Sequence, residues 1–162
     1  MAKKVELTGG MKDWSRLQMA TTALNRARDL ELAKIGLNMP QAEILYLLNI
    51  AKEPMTPMKL SQMMHKQPHT VSAMVHRMES RGLIVTKKDM KRKNWLRVSL
   101  TKKGEEAFKS WSATTMVPDV AFSCLSQKER DMLSAITKKL HAKSLELLRQ
   151  MQPNPYGEPL FW

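Results

Sequence analysis

The chain has 162 residues, the length of one compact unit with helical extensions, and its 43% apolar share supplies a core and excludes wholesale disorder. Lys and Arg number 27 against 15 Asp and Glu, and the resulting +12 points to a polyanionic partner, nucleic acid or an anionic membrane, leaving the position of the charge to decide. One cysteine, Cys124, excludes an internal disulfide framework; with no apolar run near the roughly 18 residues of a membrane span and no apolar stretch after the basic start, the expectation is a soluble cytoplasmic protein with no membrane partner.

Residues 1–13 carry the turn-like pair Gly9-Gly10 and no periodicity, and are predicted to form a flexible arm. From Trp14 the pattern turns helical. Leu17, Ala20, Leu24, Ala27, Leu30, Ala33 and Leu37 recur every three or four residues, which predicts a long helix over 14–37 with one apolar stripe. Gly36 and Asn38 end it, and Asn38 caps a second helix that runs to about Ala51 and is apolar on several sides. Thr56-Pro57 opens a short third helix with Leu60, Met63 and Met64 inward. After a break at Lys66-Gln67, Pro68 starts a fourth helix that lasts until Gly82, the residue that suits a helix end because it accepts the left-handed conformation.

Beyond Gly82 the period falls from about 3.6 to 2. Leu83-Ile84-Val85-Thr86 is β-prone, and Leu96, Val98 and Leu100 alternate with Trp95, Arg97 and Ser99 as a half-buried strand should. The polar connection 87–94 between them suits a hairpin tip. Thr101 then caps a fifth helix with Ala107, Phe108 and Trp111, disturbed at Pro118. Ser126 and Glu129 form a capping box for the last helix, whose stripe is Leu133, Ile136, Leu140, Leu147, Leu148 and Met151. The proline-bearing residues 152–162 are read as a tail. The fold class is thus mainly α with a small β-hairpin wing, and the stripes at both ends assign 14–37 and 102–151 to dimerisation.

Function is concentrated in 38–101. Short helix, tight turn, helix and β-hairpin is the order of a winged helix-turn-helix, whose second helix must bury one side and offer the other to the major groove. In the helix from Pro68, Val71, Met74, Val75 and Met78 make one apolar face. The opposite face carries His69, Ser72, Ala73 and His76, with Thr70 and Arg77 at its margins and no carboxylate; Lys66 and Gln67 lead into it. From Arg77 to Lys103 ten Lys or Arg stand against Glu79 and Asp89 alone. Lys87, Lys88, Lys91, Arg92, Lys93, Asn94 and Arg97 therefore join the candidate DNA contacts, set to lie on phosphates or reach a minor groove. A solvated loop is the bland reading of such a charge run, and the carboxylate-free helix face beside it favours DNA.

This stretch resembles the MarR family of winged-helix regulators, over about residues 14–150. The likeness is carried by Thr70-Val71-Ser72, by Val75-His76-Arg77-Met78-Glu79-Ser80-Arg81-Gly82-Leu83-Ile84, and by Val98-Ser99-Leu100-Thr101-Lys102-Lys103-Gly104. The resemblance implies a homodimer with interleaved terminal helices, a pseudo-palindromic operator, and wing tips in minor grooves flanking the two recognition helices. Where the family usually has Asp-x-Arg at the wing tip, this chain has Arg92-Lys93-Asn94. The resemblance also implies an effector cleft between dimer helices and DNA lobes, for a small hydrophobic or aromatic molecule, with release of a repressor as the consequence. Trp14, Tyr46, Phe108 and Trp111 are its candidates, and side chains at such spacing serve equally as core.

The remaining signals are weaker. His65, His69 and His76 lack a cysteine or carboxylate at ligand spacing, so no metal site is assigned. Cys124 has no CxxC partner, and with Lys128 and Arg130 nearby as the only cue to a redox sensor, the structural thiol is the favoured of the two readings. No Gly-rich phosphate loop, no ordered Ser/His/Asp set and no paired carboxylates nominate a catalytic centre or a cofactor; the chain is read as a non-enzyme. The alternative reading uses the same basic face to bind a protein partner or RNA.

Overall fold

The computed structural model describes residues 8–51, 53–89 and 96–151. Within them the order is α1 (Gly9–Ala33), α2 (Met39–Ile50), α3 (Pro57–Met63), α4 (Pro68–Ser80), β1 (Ile84–Lys88), β2 (Leu96–Leu100), α5 (Lys102–Ala113), α6 (Met116–Ser123) and α7 (Gln127–Met151).

Helix starts follow side-chain chemistry. Asn38 Oδ1 accepts from the Gln41 amide at 3.0 Å, Thr56 Oγ1 from Lys59 at 3.1 Å and Thr101 Oγ1 from Gly104 at 3.0 Å. Ser126 and Glu129 cap each other reciprocally, the Ser126 amide donating to Glu129 Oε2 at 2.8 Å and the Glu129 amide to Ser126 Oγ at 3.4 Å. Pro57 and Pro68 open their helices at the position where a missing N–H is harmless. Gly82 follows α4 at φ 71°, with the Leu83 amide donating to the Met78 carbonyl, as a left-handed helix end requires.

Three boundaries differ from the expectation. The first helix begins at Gly9 rather than Trp14, because Thr8 Oγ1 accepts from the Met11 amide and draws the Gly9-Gly10 pair into the first turn. Residues 9–13 of the expected arm are therefore helical, while 1–7 lie outside the described residues, as does the tail 152–162. The same helix ends at Ala33; a turn through Gly36 at φ 70° returns Leu37 to the core. The fifth helix breaks at Thr114-Thr115, and Pro118 stands in the first turn of a separate α6, where its missing N–H leaves no helical hydrogen bond unmade.

The core belongs to the lobe α2–β2. Ile44 and Leu45 of α2, Leu60 of α3, Val71 and Met78 of α4, Ile84 and Val98 of the hairpin, and Leu32 at the end of α1 are fully buried. Met64, Met74 and Met78 are buried and Met63 packs against them, as their helical spacing predicts. The two strands are antiparallel with Ile84 opposite Leu100 and Lys88 opposite Leu96. Met55 adds a single bridge on the other edge of β2, its amide and carbonyl both bonded to Val98 at 3.1 and 2.7 Å.

The terminal helices differ. None of the residues of α6 and α7 is buried, and in α1 only Glu31 and Leu32 are. Leu17, Leu24 and Leu30 of the α1 stripe, and Leu133, Ile136, Leu140, Leu147 and Leu148 of the α7 stripe, are all exposed in the single chain. The last turns of α1 instead act as a joint. Arg28 donates to the Thr114 carbonyl at the end of α5 and pairs with Glu31, Glu31 Oε1 accepts from the Val117 amide of α6 at 3.1 Å, and Asp29 Oδ1 accepts from the Met39 amide of α2 at 2.9 Å. Burial raises the Glu31 pKa, but the Arg28 guanidinium and the Val117 and Met116 amides outweigh it and hold the carboxyl below its ordinary value.

Candidate nucleic-acid interface

Helix α4 is built to divide inside from outside. Its apolar face, Val71, Met74, Val75 and Met78, is buried against the lobe. The opposite side leaves His69, Thr70, Ser72, Ala73, His76 and Arg77 exposed, with Lys66 and Gln67 exposed just before it. Each of these candidates thus lies on one open surface. His65, two residues ahead of Gln67, takes φ 50° in the turn after α3, where glycine is the usual choice, and its ring meets that of His141 of α7 at 6.3 Å. Burial, and then the neighbouring His141 charge, hold the His65 pKa below its ordinary value.

The absence of negative charge on that surface is partly a tertiary effect. Glu79 is engaged by the hairpin: Oε1 accepts from the Thr86 amide at 2.7 Å and from Thr86 Oγ1 at 2.6 Å. Those hydrogen bonds hold its pKa below the ordinary value, His76 adding a smaller attraction against the opposing effect of burial. They also pin β1 to the end of α4, so helix and hairpin keep a set relation. The spacing Glu79 to Thr86 has no periodic signature, and the sequence alone does not announce it.

Lys87 and Lys88 end β1 and are exposed, in the strand itself rather than in the tip expected for them. Lys91, Arg92, Lys93 and Asn94 lie outside the described residues. Arg97 lies in β2, as expected, and is engaged on the lobe. Its Nε donates to Asp89 Oδ2 at 2.9 Å and its Nη1 to the Pro54 carbonyl at 3.2 Å, with the Asp89 side chain 13% exposed.

The end of the wing explains the motif Leu-Thr-x-x-Gly. Thr101 Oγ1 donates to the Gly82 carbonyl at 2.7 Å while capping α5, and Lys103 Nζ donates to the Arg81 carbonyl at 2.8 Å. Arg81 in turn reaches Gly36 O at 2.6 Å and Gln41 Oε1 at 3.1 Å, tying the end of α4 to the α1–α2 junction.

Of the four effector candidates, three meet. The Trp111 ring of α5 lies 5.9 Å from Tyr46 of α2 and 5.4 Å from Phe108, all three only partly covered or exposed. Trp14 makes no ring contact with them and is 61% exposed on α1. Cys124 is exposed at the end of α6, its thiol donating to the Ala121 carbonyl. Among the described residues no cluster of three or more His, Cys, Asp or Glu could hold a metal ion, and no helix is long and apolar enough to cross a membrane.

Residues 35–97 match the MarR family model. A helix-turn-helix-type transcriptional regulator of Bacillus cereus is 29% identical over 139 residues, covering 85% of this chain and 92% of the relative. Among solved structures, an organohalide-sensing transcriptional regulator in its 2,4-dichlorophenol-bound form superposes with TM-score 0.83 at 26% identity, over 96% of this chain and 92% of its own. The Escherichia coli MarR protein in complex with operator DNA shares the fold, with TM-score 0.76 at 19% identity, over 84% of this chain and 99% of its own. With its buried-and-open α4, pinned hairpin and Thr101–Gly104 wing end, the chain has a winged helix-turn-helix fold and is similar to the MarR family of transcriptional regulators, over residues 35–97 in sequence and over most of its length in structure.

Proposed function

We propose that the chain works as a homodimeric, sequence-specific repressor that a small aromatic molecule releases from its operator. The observation that carries the reading is the exposed, carboxylate-free face of α4 next to Lys87 and Lys88. In this reading α4 enters the major groove, His69 to Arg77 read base edges, and the basic wing lies on phosphates or in the flanking minor groove. Lys and Arg on phosphates supply most of the affinity.

The unburied stripes of α1 and α7 support the dimer, since exposed apolar surface on this scale marks an interaction site. A two-fold dimer calls for a pseudo-palindromic operator with half-sites about 34 Å apart. The Tyr46, Phe108 and Trp111 cluster supports an aromatic effector, because it lies where α2 of the DNA lobe meets α5, and the organohalide-sensing neighbour holds a dichlorophenol. Binding there acts only if the effector prefers a dimer whose α4 helices are misspaced for successive grooves.

Selection from random duplex DNA tests the reading. The enriched sequence is expected to be a pseudo-palindrome that outcompetes random duplex by at least about a thousandfold, and to be released when 2,4-dichlorophenol is added as a probe. Affinity is expected to drop roughly a thousandfold or more between about 50 and 200 mM salt if six to ten phosphates are contacted. Enrichment of no sequence, together with stronger binding to RNA or to a protein partner, would turn the basic face to the other use.

A further inference from the structure

We propose that Arg97 is a positioning residue rather than a DNA ligand, and that Asp89, Arg97 and the Pro54 carbonyl form a strut that aims the basic wing. The inference rests on the reading that the wing docks on DNA. Asp89 directly follows β1 and Arg97 is the second residue of β2, so their contact at 2.9 Å closes the hairpin just beyond the last strand pair, Lys88 opposite Leu96. The same guanidinium reaches across to Pro54, on the segment that bridges β2 through Met55. One side chain therefore joins both wing strands to the chain entering α3.

Chemistry favours the strut over a phosphate contact. The Asp89 side chain is largely covered, and Arg97 could turn to a phosphate only by giving up both this contact and the Pro54 carbonyl. The planar guanidinium serves two acceptors in different directions, which a lysine ammonium would not fix in one geometry. Together with Glu79 bound to Thr86 in the middle of β1, the strut sets the direction in which Lys87 and Lys88 leave the lobe. In this chain, which lacks the family's Asp-x-Arg at the tip, the carboxylate–guanidinium pair sits at the root of the wing instead.

The sign of one substitution separates the two roles. Asp89→Asn raises the formal net charge by one, so long-range attraction alone would tighten binding to the selected duplex. The strut requires the opposite: Asp89→Asn and Arg97→Gln each weaken binding about tenfold, and the double variant is no weaker than either single one. Unchanged or tighter binding by Asp89→Asn, or losses that add, would overturn the proposal and make Arg97 a phosphate ligand. Amide hydrogen exchange in the free protein gives a readout that needs no DNA. Arg97→Gln is expected to speed exchange at Met55 and Val98, and unchanged protection there would equally overturn the strut, even if no duplex were ever selected.

Discussion

Gly104 lies against the carbonyl of Leu83: a Cβ built on it would stand 2.0 Å from that oxygen and 3.1 Å from the carbonyl carbon. This close approach lets Thr101 cap α5 and bond the α4–β1 turn at once, so the hairpin closes onto the end of α4. Gly104→Ala is expected to destabilise the fold by about 3 kcal/mol, the upper part of the range for overpacking, read as a lower urea midpoint. Gly10→Ala, with nothing within 4 Å of the added carbon, is expected to leave stability equal or raised. Equal midpoints for Gly104→Ala and the parent would refute the role given to this contact.

Acid sensitivity follows from Glu79. Its carboxyl is held below the ordinary 4.5 by the two Thr86 hydrogen bonds. A depressed folded-state pKa means stability that is present above the unfolded value and is lost as pH falls through the folded one. The parent is therefore expected to lose stability on acidification below about pH 4.5, and Glu79→Gln to flatten that part of the profile. Glu31 and Glu129 act in the same direction, which leaves a residual slope in the variant. Urea midpoints across the acid range check this; parallel profiles for parent and variant would contradict it.

The covered pair Arg28–Glu31 and the open pair Arg16–Asp13 make an internal comparison. The first has side chains 12% and 4% exposed, the second 78% and 78%. Arg28→Met leaves a covered carboxylate unpaired and frees the Thr114 carbonyl, whereas Arg16→Met removes a solvated contact of little worth. A clear fall in Tm is expected for the first and almost none for the second. Similar Tm values for the two variants would show that the α1 joint is not held by charge.

Dimer formation is testable through the unburied stripe of α7. Ile136 and Leu140 are 47% and 49% exposed, one turn apart on one side of the helix. Ile136→Glu with Leu140→Glu is expected to turn a dimer into a monomer in sedimentation equilibrium and to abolish tight operator binding, because two linked half-sites act together. A parent chain that sediments as a monomer would remove the need for this interface.

Base reading and phosphate contact separate by substitution. Lys88→Ala is expected to weaken binding to all duplexes about equally and to reduce the salt slope by about one. His76→Ala is expected to change the preferred sequence at one half-site position, each mismatch there having cost about 1–3 kcal/mol in the parent. The reverse pattern would exchange the roles assigned to α4 and β1.

Local chemistry made much of this protein legible in its sequence. Caps at Asn38, Thr56, Thr101 and Ser126, prolines at 57 and 68, and the change of period after Gly82 act over three or four residues, so they can be read off the chain. The two faces of α4 follow from the same short-range rule, because helical spacing alone puts Val71, Met74, Val75 and Met78 together and His69, Ser72 and His76 opposite. Tertiary packing decided the rest. It sent Arg97 to Asp89 and Pro54, brought Trp111 to Tyr46 while leaving Trp14 apart, and joined α1 to α5 and α6 through Arg28 and Glu31. Those partners lie 8 to 86 residues apart, and no periodicity encodes such distances; which charge meets which is settled only when the packed elements leave a covered acceptor within reach.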